Sequence, residues 1–376
     1  MKKIIAGLLV LTTLIIGSVA LAADPSGHLG RAQTLIDQAQ AEIDAAIAEP
    51  LPTVTATETV TATVTQTVTA TPTTPAPTTP PPTTPPPTTP PPAPGFPSRD
   101  AALARSNVVV SSGSSSAQYR VGSPPADTTY DLRGHTSTAF PTVHQFPYSV
   151  GRDTPGARTV LVGGTAIGTQ PRTWSWDQVH AVGGGGLTLK GTDFQVSYDF
   201  TSINQHDGIQ VLPGGTTRFL VEGAYMEWIR DDAVENDTEF SGTIRDSLFN
   251  GVNTCVSIGQ STKNPASVVN IEDVICVFEP MVNARAADGV GHQALFKQAP
   301  GGTVNLKNVT LCYTENPISP DRLQIWPNGT KQNVRIVLGP DFVGAYPGTL
   351  PAGVTVSRDW SICTSAVDNW KVAHGV

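Results

Sequence analysis

The sequence predicts an all-β chain whose folded part is a parallel β-helix, a solenoid of stacked coils. One short phrase recurs at the spacing of a coil: His206-Asp207-Gly208-Ile209-Gln210-Val211, Asp231-Asp232-Ala233-Val234-Glu235-Asn236 and Asn253-Thr254-Cys255-Val256-Ser257-Ile258. Asp207 to Asp232 spans 25 residues and Asp232 to Thr254 spans 22. Runs of alternating hydrophobics recur around the phrase, at 194–198, 219–222, 242–245, 268–271, 303–306 and 334–338. The composition agrees: 35 glycines and 33 prolines against only 14% charged residues suit a turn-rich β protein with a Pro-rich linker.

Stacking the coils puts Ile209, Val234 and Val256 in one inward column and Val211, Asn236 and Ile258 in another. Period-2 alternation then sends Gln210, Glu235 and Ser257 outward. Asp246, Asp273 and Asn308 follow their strands at like positions. There a polar residue that tolerates the left-handed region turns the corner.

The first hundred residues carry other signals. Residues 1–22 read as a secretory signal, with Lys2 and Lys3, an apolar run from Ile4 to Val19 and Ala20-Leu21-Ala22 as cleavage site. That run is short of the ~20 residues a membrane span needs, so no span is expected after cleavage, and the protein is expected outside the cell or at its surface. Residues 23–52 form a short helical arm, in which Leu29, Ile36 and Ile43 repeat every seven and Pro50 and Pro52 end the helix. A lone helix needs something to pack on, so self-association through 29–47 is expected. Residues 53–98 alternate Thr with Val, Ala and Glu and then become Thr/Pro repeats, a disordered, extended stalk.

The β-helix domain is placed at 99–376, with 99–181 as an N-terminal cap and irregular first coils. Trp174 and Trp176 are expected to pack the solenoid end. Residues 360–376 close the last coil, with a short helix at 366–372. The net charge of −8 and the lack of a basic stripe exclude nucleic acid as a partner. Four cysteines in an exported chain allow disulfides. Aligning Asp273 with Asn308 makes Cys276 and Cys312 a candidate bridge, one place out of register. Cys255 shares the small-residue position of Gly208 and Ala233 and is expected as a packed thiol.

The three phrases resemble the active-site strip of polygalacturonase-type β-helix hydrolases. That strip reads roughly N-T-D-G-[IF], then x-D-D-C-[IV], then G-H-G-[IL]-S-[IV]-G, with an R-x-K further on. Asp207-Gly208-Ile209 matches the first, Asp231-Asp232-Ala233-Val234 the second and Val256-Ser257-Ile258-Gly259 the tail of the third. Thr254 stands where that family has histidine, and Arg285 is the nearest candidate for the R-x-K. A broader similarity over about 174–374, carried by Trp174–His180, Gly183–Leu187, Asp231–Asp237, Ser241–Asn250 and Tyr346–Pro351, is to secreted right-handed β-helix proteins of the pectin-lyase-like kind. It implies a right-handed solenoid more than any activity.

Coils ~4.8 Å apart make Asp207 and Asp232 neighbours, with Asp231 on the diagonal. Carboxylates that close raise one another's proton affinity or recruit a cation. The expected chemistry is glycosidic-bond hydrolysis, with Asp232 as acid and Asp207 or Asp231 as base. His206 and Glu235 would bind substrate, as would Arg285 and His292; His292 and Lys297 belong to the long insertion at the cleft edge. No cofactor is required. Asp231, Asp232, Glu235 and Asp237 offer oxygen ligands for calcium, and with Arg230, Arg245, Lys263 or Arg285 as base the reaction becomes a polysaccharide lyase's. The remaining alternative is a non-catalytic glycan-binding or adhesin module, or a virion or cell-surface spike. Polysaccharide is the expected partner throughout.

Overall fold

The computed structural model describes residues 95–139, 146–212, 216–279 and 293–376. All lie in the second of the two units into which the chain divides, residues 84–376. The expected signal, helical arm and nearly all of the stalk fall outside the described residues, as do Arg285 and His292.

Among the described residues every strand pairing is parallel, and the pairings join into one continuous sheet that bends into three faces, called sheets I, II and III below. The strand Ser241–Ile258 shows the plan, because it runs through all three in a single coil. Its first part pairs with Thr216–Glu222 and Val268–Phe278 in sheet I. Its middle pairs with Tyr225–Asn236 and again with Val268–Phe278 in sheet II. Its last part pairs with Tyr225–Asn236 and Ala294–Phe296 in sheet III. This large parallel stack is the architecture of a β-helix-like solenoid.

Each sheet sends one ladder of side chains inward. Sheet I contributes Val221, Ile244, Ile271 and Leu306; sheet II contributes Met226, Phe249, Cys276, Leu311 and Ile336. Sheet III contributes Ile209, Val234, Val256 and Phe296, all 0% exposed. Burial of each such side chain is worth roughly 1.5–3 kcal/mol, and together they form one core running the length of the stack. The inward columns read from the phrases are therefore present, and Glu235 pairs with both Gln210 and Ser257 on the outer side.

The corner between sheets I and II is a column of left-handed residues: Gly163, Asp199, Gly223, Asp246, Asp273, Asn308 and Asn333, with φ from 46° to 74°. Asn308 Nδ2 donates to Asp273 Oδ1 (2.8 Å) and Asn333 Nδ2 to Asn308 Oδ1 (2.9 Å), so the corner residues also bond coil to coil. The segment 334–338 departs from the expected set. It lies in sheet II against 310–313, because the matching sheet I strand is only Lys331–Gln332. Alternation identifies a strand but not which side of the solenoid it occupies.

Three α-helices are found among the described residues: α1 (Arg99–Leu103), α2 (Trp176–Val182) and α3 (Ser361–His374). Phe96, Ala102 and Leu103, around α1, cover the outer side of sheet I at Val160, Val196, Tyr198 and Leu220. The folded region thus begins slightly before residue 99. The stretch 108–167, expected as cap and irregular coils, already pairs in the same three-sheet stack. α3 is longer than the expected 366–372 helix. It lies along the outer side of sheet II instead of closing the last coil, with Trp370 on Tyr225 and Leu248 and Cys363 on Val277 and Val337.

The disulfides differ from expectation. Cys312 bonds Cys363 of α3, and Cys255 bonds Cys276 inside the core. A one-place offset on neighbouring strands puts Cys276 and Cys312 on opposite sides of sheet II, which rules out a bridge between them. Sheets I and II are thereby covered on their outer sides. Sheet III keeps an open one.

Candidate active site

Sheet III and α2 enclose a cleft of about 540 Å³, and the first two phrases, with Lys297, form its floor. Hydrogen bonds along the backbone set the stacking: Gly186 N–H donates to Asp207 O (2.8 Å), Gly208 N–H to Asp232 O (2.8 Å) and Asp231 N–H to His206 O (2.8 Å). Glycine is required at 208, where a Cβ would lie 2.3 Å from Ala233 O. Asp207 and Asp232 are consequently neighbours, with the Asp232 N–H 3.3 Å from Asp207 Oδ1.

Strict alternation would turn Asp231 and Asp232 to opposite sides. The pairing register shifts between Ile229 and Asp232, and both carboxylates reach the same cation. That cation is Lys297, immediately after the strand Ala294–Phe296, with Nζ 2.6 Å from Asp231 Oδ1 and 2.6 Å from Asp232 Oδ2. All three are buried, Asp232 at 1% exposure.

His206 sits among three side chains. Its Nδ1 donates to Asp207 Oδ2 (2.9 Å), and its Nε2 lies 3.1 Å from His180 Nδ1 and 3.8 Å from Asp231 Oδ2. Burial by itself would push the imidazole down, but the charge and hydrogen bond of Asp207 and the charge of Asp231 outweigh it and hold His206 above its ordinary range. Lys297 behaves alike: desolvation pulls it down, and Asp231, Asp232 and Asp207 raise it further. Asp232 is lifted well above the carboxylate range, first by burial and then by repulsion from Asp231, against the pull of Lys297. Glu235 is pushed up to about 9 by burial and by the charges of Asp207 and Asp237. Its carboxyl is only partly covered, faces the cleft and accepts a hydrogen bond from Gln210 Nε2 (2.7 Å).

α2 forms the wall. Ser175 caps it, accepting from Gln178 N–H while the Gln178 side chain accepts from Ser175 N–H. Trp176 stacks on His180 with ring centroids 4.3 Å apart and tilts against His206 at 5.5 Å. Trp176 therefore packs at the cleft wall and not at the solenoid end. Gly183 ends α2 and no helix follows the glycine run before the next strand.

The structure brings together Asp207, Asp231, Asp232, His206 and Glu235 as the phrases indicate. Of the four residues expected to hold calcium, Asp231 and Asp232 are engaged by Lys297, and Asp237 accepts from Ser257 Oγ (2.7 Å). Among the candidate lyase bases, Arg245 pairs with Glu222 in sheet I (2.7 Å) and Lys263 donates to Ala299 O (3.0 Å). Arg230 donates to the carbonyls of Trp174 and Pro171 on the segment leading into α2. Sequence reasoning placed Lys297 only at the cleft edge and did not select His180. The signal for Lys297 was its place directly after an Ala-Leu-Phe strand. No protein-family model, curated protein or solved structure matches the chain.

Proposed function

We propose that the protein is an exported, polysaccharide-active right-handed β-helix of the pectin-lyase-like kind, and that its cleft hydrolyses glycosidic bonds. The observation that carries this reading is Glu235, a carboxyl that keeps its proton to about pH 9 while facing an open cleft. A glycosidase needs one carboxyl protonated at neutral pH to give the leaving oxygen its proton, and a second to act on water or the sugar. Glu235 takes the donor's part in place of Asp232, whose 1% exposure and bond to Lys297 keep it from a substrate. Asp207, oriented by His206 and the Asp232 N–H, supplies the second carboxyl. His180, exposed and backed by the buried Trp176 ring, forms the wall against which a sugar ring rests. Two disulfides favour an oxidising compartment, in keeping with export.

The test is a panel of polysaccharides assayed for new reducing ends and for the ultraviolet absorbance of unsaturated products. Hydrolysis gives reducing ends without absorbance, and Glu235→Gln abolishes them. Absorbance instead identifies a lyase, and glycan retention without any cleavage identifies a binding or spike module.

A further inference from the structure

We propose that Arg152 and Lys190 form an anion-binding subsite at one end of the cleft, holding an acidic group of the glycan two coils away from Glu235. This rests on the polysaccharide reading of the cleft and adds the chemistry that selects the substrate.

Both cations line the same cleft as Asp207, Glu235 and Asp237. Lys190 pairs with Leu212 at the end of its run in sheet III, and Leu189 pairs with Val150 one coil earlier. Gly151, at φ 79°, donates its N–H to Val121 O (2.8 Å) and turns the chain just before Arg152. A Cβ at Gly151 would collide with the Lys190 carbonyl, so only glycine allows the two coils to approach this closely. Thr188, Gln210 and Glu235 stack on successive coils. The Lys190 coil therefore lies two steps of ~4.8 Å, roughly 10 Å, from that of Glu235.

The carboxylates of the cleft have partners of their own. Asp231 and Asp232 hold Lys297, Asp207 accepts from His206, Glu235 from Gln210 and Asp237 from Ser257. Asp153, next to Arg152 in the chain, pairs with Arg120. Among the described residues neither Arg152 nor Lys190 forms an ion pair. Arg152 is exposed and Lys190 half-buried, so solvent reaches both. A chain of net charge −8 repels polyanions over most of its surface. Two uncommitted cations at one end of an otherwise acidic cleft admit an acidic group there.

Arginine offers a planar fork that matches an oxyanion, and lysine adds a mobile point charge. Uronate carboxylates and sulfate esters both supply the matching group. The separation from Glu235 puts that group away from the reacting atoms, which makes Arg152 and Lys190 specificity residues. Neither was selected from the sequence, because no motif marks them.

The experiment is affinity electrophoresis of the full chain through gels that each contain one polymer: a polyuronate, its methyl ester, a sulfated glucan or the unsulfated glucan. Retardation by the polyuronate and not by its ester assigns the subsite to carboxylate. Retardation by the sulfated glucan and not by its parent assigns it to sulfate. Arg152→Gln with Lys190→Gln is expected to weaken binding of the acidic polymer about tenfold, with an unchanged thermal melt. Lys307→Gln with Arg335→Gln makes the same charge change on sheets I and II and leaves binding unaltered. Where a polymer is cleaved, the cleft variant raises KM and keeps kcat, because the contact is alike in ground and transition states. The proposal is overturned if uncharged polymers bind as tightly as acidic ones, if the cleft variant binds acidic polymers as the parent does, or if the control variant weakens binding equally. Each of these leaves the polysaccharide reading standing. Acidic polymers bound through Arg152 and Lys190 but never cleaved sink only the hydrolase reading, and a chain that binds none of the four overturns both.

Discussion

Lys297 Nζ lies 2.6 Å from Asp232 Oδ2, so two residues 65 positions apart in sequence meet on the floor of one cleft. The same ammonium holds Asp231 at 2.6 Å. Removing one partner of a buried ion pair strands the other charge, at about 3–5 kcal/mol. Lys297→Met is expected to lose stability of that order in urea unfolding, and Lys297→Met with Asp232→Asn to recover part of it. A loss below about 1 kcal/mol in the single variant counts against a desolvated pair.

Glu235 makes stability fall as pH rises. Its proton affinity is raised from 4.5 to about 9 on folding. Between those values the folded chain binds a proton that the unfolded chain has released. The folded state is therefore favoured at the acid end of the window and progressively loses that advantage towards about pH 9. Glu235→Gln lacks the titration. Its urea midpoint should gain on that of the parent steadily from about pH 5 to about pH 9. A constant difference across the range would show that Glu235 ionises normally.

Much of the floor was legible in the sequence because a solenoid turns linear spacing into adjacency. The repeats at 207, 232 and 254 fixed which residues stack, and Ile209, Val234 and Val256 fixed which side faces in. What alternation does not encode is a register shift, and the one before Asp232 gives both aspartates the same cation. Nor does it encode contacts made by an insertion or a distant helix. Lys297 arrives after the extra length of chain between Phe278 and Ala294, and α3 reaches sheet II from the C-terminal side. The cysteines were mispaired for the same reason, since Cys363 comes from α3 and no coil register predicts it.

Arg230 holds the cleft wall. It is 1% exposed, its guanidinium lies over the Trp228 ring at 5.4 Å, and burial pushes it down to about 10. Its bonds to the carbonyls of Pro171 and Trp174 fasten the segment that leads into α2. Removing it leaves the carbonyls of Pro171 and Trp174 without this donor, at about 1–3 kcal/mol. Arg230→Met is thus expected to lower the unfolding midpoint and to speed amide hydrogen exchange in 171–182. Unaltered exchange there would assign the fastening to other contacts.

The Cys312–Cys363 bridge closes a loop with a sequence separation of 51, which restrains the unfolded chain by about 4 kcal/mol at most. Cys363→Ser with Cys312→Ser should lower stability by about 2–4 kcal/mol. The apolar outer side of sheet II, at Leu248, Val277 and Val337, should then bind a hydrophobic dye when α3 frays. Dye binding equal to that of the parent would show that Trp370 and its neighbours hold α3 unaided.

The corner column offers the sharpest test of how the coils are made. Asn308 adopts φ 53°, a conformation that costs an ordinary side chain about 1–2 kcal/mol and that Asn and Gly tolerate. It also donates to Asp273 and accepts from Asn333. Asn308→Gly keeps the backbone freedom and loses only the bonds; Asn308→Ala loses both. If the left-handed geometry dominates, the alanine variant is the less stable by about 1–2 kcal/mol, measured as a difference in urea midpoints. If the side-chain ladder dominates, the two variants fall equally, because each breaks the same two hydrogen bonds. The site is exposed, so no cavity term blurs the comparison.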